Sequence, residues 1–460
     1  MICISIQLNA KEITSSIAKK ISPKLPNMEI IGKNNEGIIV RKYGSSKEML
    51  EAYDDKMKIR WVKYLDDKGP YITIRKITLT PENIFVFYES RKNTGVQLLI
   101  EQYDASLSKL LDTKYADTLL NYNEAGKYKI ISSIDNSYHL CYFNTNKFIS
   151  ATLIDNTLST VWKKQILFPL DANQARLEEV LISNKAEGYF IFKNFIDKKE
   201  WIIRSFEIVS FSKEKNNIRT YIDLDHKLIN ASFTLDNKNR YLYGCGFYSL
   251  PNNNIAGIMY TNINLDSMII SAPVYSTFSD ISVNNILKQN IYQEKKVIPK
   301  IRNLIPNYNG SLTIITELFY TKTKTTTLPN LYGYYQSTTS KFFNYNDIIV
   351  SYIDSNGHIN WQSVLSKKQV SENDKGINSS FTLVNRSNQL EIIYNREISS
   401  STYVVTTNLL PEGRVYKSNL FDNIQQNTFL APRLSKQIGK DEVVIPSIYR
   451  NFLKLIKIKY

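Results

Sequence analysis

The side chains that could perform acid–base or metal chemistry are few and scattered in this sequence. Its three histidines are His139, His226 and His358. Only His226 has candidate co-ligands beside it, since Asp223 and Asp225 precede it, and a surface turn is the preferred interpretation of that segment. His139 falls in a predicted strand and His358 in a predicted hairpin turn, which favours structural roles for both.

The acidic residues and glycines also lack the spacing of catalytic motifs. No GxSxG, HExxH, P-loop or GxGxxG pattern is present. The pair Glu178 and Glu179 comes nearest to a set of hydrolytic carboxylates, and Asp354 begins a turn that lacks the later ligands of a calcium loop. We therefore predict no catalytic residue, no metal site and no cofactor.

Length and charge set outer limits on the function. The 460 residues exceed what one hydrophobic core supports, so the chain must be several domains or a repeat array. The net charge of +15 favours acidic partners, but Lys and Arg are scattered, so we predict a solvated basic surface and no nucleic-acid binding. No run of about 20 apolar residues occurs, so no transmembrane segment is predicted. Cys141 and Cys245 fall in separate predicted strands and should be free thiols.

The strongest pattern is an aspartate followed seven residues later by a tryptophan. It occurs in three strand–turn–strand segments, Asp54–Trp61, Asp155–Trp162 and Asp354–Trp361. A degenerate copy begins at Tyr103, with Leu111 in the place of the tryptophan. Aspartate suits a tight turn, and a large ring on the following strand can wedge between neighbouring sheets. A repeat of about 50 residues made of short strands indicates a stacked or radial array.

Predicted strands fall into groups of four along the chain, and helical periodicity is nearly absent. A last group of three strands lacks its fourth, which Lys11–Ile21 at the N-terminus can supply. Pairing the two ends closes a ring and removes an exposed edge. The sequence therefore predicts an all-β fold, a β-propeller of eight four-stranded blades, or seven if two groups form one. Residues 11–460 are expected to form this single domain, with insertions at 276–310 and 321–345.

A turn followed by a tryptophan on the fourth strand resembles the docking repeat of quinoprotein-like eight-bladed propellers. That group includes quinoprotein dehydrogenases and outer-membrane assembly scaffold lipoproteins. The repeat is shortened here and occurs in three blades only. Over most of its length the chain more closely resembles uncharacterised exported β-propellers of Gram-negative bacteria, through Cys245–Gly257, Asn346–Gln362 and Lys367–Phe381. The resemblance implies the propeller architecture and assigns no chemistry; the vicinal cysteine pair expected with a quinone cofactor is absent.

The first ten residues, MICISIQLNA, are apolar and end like a secretory signal peptide. We expect residues 1–10 to be a signal-peptide remnant and the protein to be periplasmic, outer-membrane-associated or secreted. If the segment is instead a first strand, the protein would be a cytoplasmic protein-interaction propeller.

The long insertions point to one face of the ring. With strands named A to D from the axis outwards, B–C and D–A connections emerge on one face and A–B and C–D connections on the other. The long insertions all belong to the first set, and loops that grow on one side of a rigid scaffold usually carry recognition. The predicted function is a non-enzymatic scaffold of the cell envelope that binds a protein or glycan partner through this face and is monomeric on its own.

The candidate partner-binding residues are Tyr and Phe side chains of the insertion at 321–345 and lysines of the preceding one. They are Tyr332, Tyr334, Tyr335, Phe342, Phe343, Tyr345, Lys295 and Lys296. Tyrosine-rich surfaces offer large contact areas at a small entropic cost. Two alternatives stay open: the insertion at 321–345 is a long hairpin whose aromatic rings pack on the blade below, or the protein is a carbohydrate-active or other hydrolytic propeller with carboxylates in its axial cleft.

Overall fold

The computed structural model describes residues 11–460 except 46, 66–67, 93–94, 121–125, 146, 169–174, 198–201, 215–217, 251–254, 292–297, 330–334, 387–388, 399–402 and 423–427. The described residues form an all-β structure with one α-helix, α1 (Ile281–Ile291), and a single 3-10 turn at Pro432–Leu434. The strands pair into four-stranded antiparallel units, called blades below. Residues 1–10, where a signal-peptide remnant is expected, lie outside the described residues.

The strands of the first three blades follow the chain in order. Blade one contains β3 (Asn27–Asn34), β4 (Gly37–Tyr43), β5 (Glu48–Tyr53) and β6 (Ile59–Tyr64). Blade two contains β7 (Ile72–Leu79), β8 (Asn83–Lys92), β9 (Gly95–Asp104) and β10 (Leu110–Leu120). Blade three contains β11 (Tyr128–Ser132), β12 (Tyr138–Asn144), β13 (Phe148–Asp155) and β14 (Thr160–Leu167).

Blades four and five share a strand. They contain β15 (Ala175–Ile182), β16 (Gly188–Asp197), β17 (Ile202–Phe211), β18 (Ile218–Asp236), β19 (Tyr241–Ser249), β20 (Ile255–Asn264) and β21 (Val274–Thr277). The first part of β18 pairs with β17 and its second part with β19, so one strand ends blade four and begins blade five.

The last three blades complete the chain. Blade six contains β22 (Ile298–Pro306), β23 (Leu312–Pro329), β24 (Tyr335–Ile353) and β25 (Ile359–Leu365), and β26 (Gln369–Glu372) also pairs with β24. Blade seven contains β27 (Thr382–Arg386), β28 (Gln389–Asn395), β29 (Tyr403–Leu409) and β30 (Val415–Asp422). Blade eight contains β31 (Lys436–Gly439), β32 (Glu442–Tyr449), β33 (Phe452–Lys459) and the N-terminal β1 (Glu12–Ser15), and β2 (Lys19–Lys20) also pairs with β33.

Hydrophobic contacts between consecutive blades close these sheets into a ring. Each of the eight buried clusters in the described part of the chain draws its residues from two neighbouring blades. The cluster containing Ile38 of blade one and Val444 of blade eight joins the last blade to the first. The A strands contact each other around the axis from blade eight through blade one to blade six. The fold is therefore an all-β propeller, as predicted, and the strand groups are consistent with eight blades.

Ring closure uses strands from both ends of the chain. β1 pairs antiparallel with β33, with Ile13 opposite Ile458. The Lys11 ammonium forms an ion pair with the Glu391 carboxylate, which is fully buried in blade seven. The N-terminal strand thus covers the edge of blade eight and contacts the preceding blade.

The Asp–Trp segments are C–D hairpins that contact blades on both sides. In blade three, the Asp155 carboxylate accepts hydrogen bonds from the amides of Thr157 and Ser159, each at 2.9 Å. Leu158 of the turn packs in the cluster shared with blade two, and Trp162 packs in the cluster shared with blade four. The indole of Trp162 donates a hydrogen bond of 2.9 Å to a turn of blade four, at the Ala186 carbonyl.

The other two hairpins repeat this arrangement with differences. The carboxylates of Asp54 and Asp354 accept the same pair of amide hydrogen bonds. Trp361 donates a hydrogen bond of 3.0 Å to the Pro411 carbonyl of blade seven, whereas the half-buried Trp61 has an indole nitrogen without a hydrogen-bond partner among the described residues. In blade two the hairpin closes one residue later, so Leu111 lies at a bulge and is 46% exposed.

Two stretches predicted as insertions contain regular secondary structure. The stretch 276–310 contains α1 and then β22, the A strand of blade six. Asp280 begins α1 by accepting a hydrogen bond of 2.7 Å from the Ser282 amide, and Val283 and Leu287 bury the helix against blades five and six. The stretch 321–345 continues β23 and β24 as a paired ribbon. Cys141 and Cys245 are free buried thiols.

Candidate functional site

Blade six carries a two-stranded ribbon that extends beyond the ring. The described parts of this ribbon are Lys322–Pro329 of β23 and Tyr335–Lys341 of β24, together called the arm below. The two strands pair continuously from Phe319 opposite Tyr345 to Pro329 opposite Tyr335. Its eight residues on the β23 side correspond to a length of about 26 Å at roughly 3.3 Å per residue.

The composition of the arm explains why it is a strand and why it stays exposed. Thr and Ser fill most of its positions, and β-branched residues favour extended backbone without requiring an apolar environment. Threonine hydroxyls pair across the ribbon, with Thr327 Oγ1 at 2.9 Å from Ser337 Oγ and Thr325 Oγ1 at 3.3 Å from Thr339 Oγ1. Every residue from Lys322 to Pro329 is exposed. The arm therefore buries almost nothing on either of its faces.

The arm is positively charged and has unpaired edges. The stretch 321–345 contains Lys322, Lys324 and Lys341 and no acidic residue. Beyond the pairing of β24 with β26 at Phe342–Tyr345, and the hydrogen bonds of the Lys341 amide and carbonyl to Asn373, the described arm strands pair only with each other. Both edges of the arm therefore present backbone amide and carbonyl groups that another extended chain can pair with.

The base of the arm is fixed by buried polar groups. Glu317 and Lys367 have fully buried side chains and lie 2.8 Å apart between Oε1 and Nζ. The Lys367 ammonium also donates to the Tyr345 carbonyl at 3.0 Å and to Gln369 Oε1 at 3.1 Å. Burial lowers the pKa of Lys367, and the Glu317 charge opposes this shift. Because a buried charge is stable only when paired, this lysine holds the arm base and β26 in one arrangement.

Two arginines complete the anchor from neighbouring elements. Arg302 of β22 donates to Glu317 at 2.9 and 2.6 Å, and Ser380 Oγ donates to the same carboxylate at 2.8 Å. Arg433, in the connection before blade eight, donates to the Tyr345 hydroxyl at 2.8 Å. The exposed arm therefore projects from a base that is bonded within blade six and to the connections that precede blades seven and eight.

The structure divides the predicted partner-binding residues into three groups. Tyr335 lies in the distal arm and is 79% exposed. Phe342 and Phe343 follow each other near the base of the ribbon, where both are half-buried and point to opposite faces. Tyr345 is 1% exposed and packs on the Phe319 ring at 4.7 Å between ring centroids, so it belongs to the anchor and is not on a binding surface. Tyr332, Tyr334, Lys295 and Lys296 lie outside the described residues.

The sequence does not indicate the anchor as a unit, because its members come from segments that are far apart along the chain. One signal was present: Glu317 interrupts the apolar run of β23, where a charge needs a buried partner. Which lysine or arginine would pair with it depends on how the connection after blade six folds back.

The candidate catalytic groups are held in structural interactions. Glu178 lies 2.7 Å from the Lys193 ammonium, and Glu179 accepts a hydrogen bond of 2.9 Å from the Phe233 amide. His226 stacks on Tyr248 with ring centroids 5.3 Å apart. Across the residues that the structure describes, no group of three or more His, Cys, Asp or Glu side chains is placed to hold a metal ion. In the same part of the chain, no helix combines the length and apolar character needed to cross a bilayer.

Comparisons with known proteins give similar solved structures but no family. No protein-family model matches the sequence, and no curated protein matches it. Among solved structures, the Dos1 propeller is 9% identical, with 96% of this chain and 95% of that chain covered at a TM-score of 0.49. The Nup133 β-propeller domain of Vanderwaltozyma polyspora is 11% identical, with 97% and 99% covered and a TM-score of 0.46. The AfRom2 CNH domain is 10% identical, with 98% and 99% covered and a TM-score of 0.38.

Proposed function

We propose that this propeller is a non-enzymatic binding scaffold that recognises a protein partner through the arm of blade six. The observation that carries the proposal is a ribbon that is exposed on both faces and both edges and is anchored by a buried ion pair at its base. A two-stranded ribbon alone is marginally stable in water, and a buried ion pair adds little net stability to a fold. The buried ion pair at the base is therefore better explained as a way to hold the arm in one position for a partner.

The chemistry of the arm favours an acidic partner with an extended segment. Three lysines in a stretch that contains no acidic residue attract negative charge, and the free edges offer a template for strand addition. Threonine and tyrosine side chains add hydrogen-bonding groups and contact area. In the proposed complex, backbone pairing supplies affinity and the lysines supply orientation.

The test compares two variants with the same change of net charge. Lys322→Glu, Lys324→Glu and Lys341→Glu reverse the charge of the arm. Lys56→Glu, Lys58→Glu and Lys185→Glu reverse three exposed lysines in turns of the opposite face. Photo-crosslinking from position 325 in cells, followed by mass spectrometry of the adduct, should give a protein adduct with the wild type and the second variant. Loss of the adduct with the first variant alone is the expected result.

A shortened arm separates backbone pairing from charge. Because Thr323 lies opposite Lys341, residues 324–340 can be replaced by Asn-Gly, which suits a two-residue hairpin turn. The shortened protein should fold normally and lose the partner. Recovery of the partner at the wild-type level would remove the arm from the proposal, and capture of glycan without protein would favour the alternative ligand.

We also propose that the scaffold works in the bacterial cell envelope. The support is the apolar stretch MICISIQLNA, whose end resembles a signal-peptide cleavage site. Fractionation of cells that express the native gene, with mass spectrometry of the mature N-terminus, tests this part separately. Recovery in the cytosol with the first ten residues intact would favour the cytoplasmic alternative.

A further inference from the structure

A second feature, far from the arm, is a cavity at the axis of the ring. It measures about 380 Å³ and is lined by the A strands β31, β3, β7 and β11, which belong to four consecutive blades. It lies towards the end of the axis that carries the A–B turns, since Asn136 of such a turn is among its lining residues. The cavity is therefore on the opposite side of the ring from the arm.

The cavity lining is basic and contains no carboxylate. Lys33, Lys76 and Lys436 contribute to it, and none of the lining residues is Asp or Glu. Lys33 is paired with Asp55 at 2.9 Å and with Glu442 at 3.0 Å, and Lys76 is 3.6 Å from a Glu29 oxygen. Positive groups that line a narrow space between protein walls attract anions more strongly than the same groups on an open surface.

Lys436 is the lining lysine that has no carboxylate partner among the described residues. Its ammonium donates a hydrogen bond of 2.6 Å to the Ile31 carbonyl, and no ion pair is formed by it within the described residues. The residue is exposed to the cavity, yet the protein atoms around it lower its pKa, with the Lys76 charge adding to the effect. A negative ligand beside this ammonium would relieve both effects.

Thr78 supplies a second, independent observation. The residue is 6% exposed and lines the cavity, and its hydroxyl is buried without a hydrogen-bond partner among the described residues. An unsatisfied buried hydroxyl costs roughly 1–3 kcal/mol, so native structures rarely keep one without a reason. The hydroxyl oxygen itself has almost no accessible surface, so a ligand oxygen in the cavity reaches it only if the Thr78 side chain turns about χ1.

We propose that the axial cavity binds a small organic dianion, whose oxyanion group is held by Lys436, Lys76, Lys33 and the Thr78 hydroxyl. The lining also includes isoleucines 31, 77, 130, 131 and 438, of which Ile31 and Ile77 are buried between blades one and two, so Ile130, Ile131 and Ile438 supply the apolar surface that suits the carbon skeleton of such a molecule. Phosphate monoesters and dicarboxylates share the required chemistry. The site is independent of the arm and of the proposed protein partner.

The test measures binding by isothermal titration calorimetry with glucose 6-phosphate, succinate, inorganic phosphate and uncharged glucose as probes. The purified protein should bind glucose 6-phosphate or succinate more tightly than inorganic phosphate, and glucose should not bind. Lys436→Met keeps the aliphatic stem and should weaken binding at least tenfold. Thr78→Val keeps the shape and should weaken it about three- to tenfold, the range expected for one hydrogen bond.

The matched control is Lys322→Met in the arm, which removes the same charge far from the cavity. It should leave binding unchanged, and circular dichroism should show that all three variants are folded. Because Lys436 forms no ion pair in the described residues, its replacement leaves no carboxylate unpaired and should not unfold the ring. The proposal is overturned if none of the anionic probes binds, or if Lys436→Met binds as tightly as Lys322→Met.

Discussion

The C–D hairpin of blade three and the arm of blade six are both two-stranded antiparallel ribbons with opposite relations to the rest of the molecule. The hairpin inserts Leu158 and Trp162 into the clusters on either side of its blade. The arm has threonines and lysines at comparable positions and inserts nothing beyond its base. The same backbone element is a cross-link between blades in one place and an exposed projection in the other, and the difference lies in a few apolar side chains.

The largest effect expected from this comparison comes from the tryptophan of the hairpin. Trp162→Ala should reduce the free energy of unfolding by about 3–5 kcal/mol, because a buried ring and its bond to the Ala186 carbonyl are lost together. Urea denaturation followed by circular dichroism measures this. Trp61→Ala is the matched control and should cost less, since that ring is half-buried. An equal loss at both positions would contradict the role assigned to burial.

The interior of the ring should also be sensitive to pH in a way that its turns are not. His139 is fully buried between Phe85 and Phe87, with ring centroids at 5.5 and 5.4 Å. Burial lowers the pKa of His139 from 6.5 to about 4. Between pH 6.5 and pH 4, the His139 imidazole is protonated in the unfolded chain and stays neutral in the folded chain. The contribution of this neutral histidine is complete above pH 6.5 and is lost as the pH falls towards 4, by about 3 kcal/mol in all.

The measurement is the free energy of unfolding at a series of pH values. His139→Gln should flatten the fall between pH 6.5 and 4. His358→Gln, in the exposed turn of blade six, should leave the fall as it is in the wild type. If both variants keep the wild-type slope, His139 is not the group that titrates.

A smaller effect is expected at the aspartate that orders the hairpin. Asp155→Ala removes a carboxylate that accepts from the amides of Thr157 and Ser159. Hydrogen bonds to a charged group each contribute roughly 1.5–3 kcal/mol when buried, and solvent exposure reduces this, so a loss of about 1–2 kcal/mol is expected. Asp155→Asn keeps one acceptor oxygen and should recover part of it. Thermal unfolding at constant pH gives the ranking.

The smallest effect is expected in the arm. Thr327→Ala breaks the hydroxyl pair with Ser337, and the free energy of unfolding should change by no more than about 0.5 kcal/mol, as at other exposed sites. The same substitution should weaken the proposed partner. A stability loss as large as that of Asp155→Ala would show that the arm contributes to the ring and would weaken the case for recognition.

Particular residues show how far the sequence could predict the fold. Alternating apolar residues and the aspartate turns identified the strand groups, because those patterns are local. The pairing of Lys11–Ile21 with the last blade followed from the missing fourth strand, and β1 and β2 lie there. The sequence predicts a loop insertion at 321–345 and leaves a long hairpin as the alternative, and only the pairing of β23 with β24 distinguishes the two.

The sites are harder to predict from the sequence than the fold, because they depend on contacts between distant segments. Glu317 and Lys367 meet only after the connection following blade six folds back onto the arm base. Lys76 and Lys436 line one cavity because blade eight lies next to blade one, which in turn contacts blade two. The sequence groups Tyr345 with the candidate partner-binding aromatic residues, whereas the register of β24 places it in the interior.

The pairing of Glu12 with Lys459 gives the ring a mechanical property. Tension applied between Lys11 and Tyr460 pulls the two strands apart from the same end, so their hydrogen bonds break one after another and never resist together. The pairing of β1 with β33 should therefore break at low force, whereas force applied across the middle of any other blade would load several strand pairs at once. Tethering the molecule by its two ends should therefore peel β1 away from β33 first and leave the remaining blades stacked.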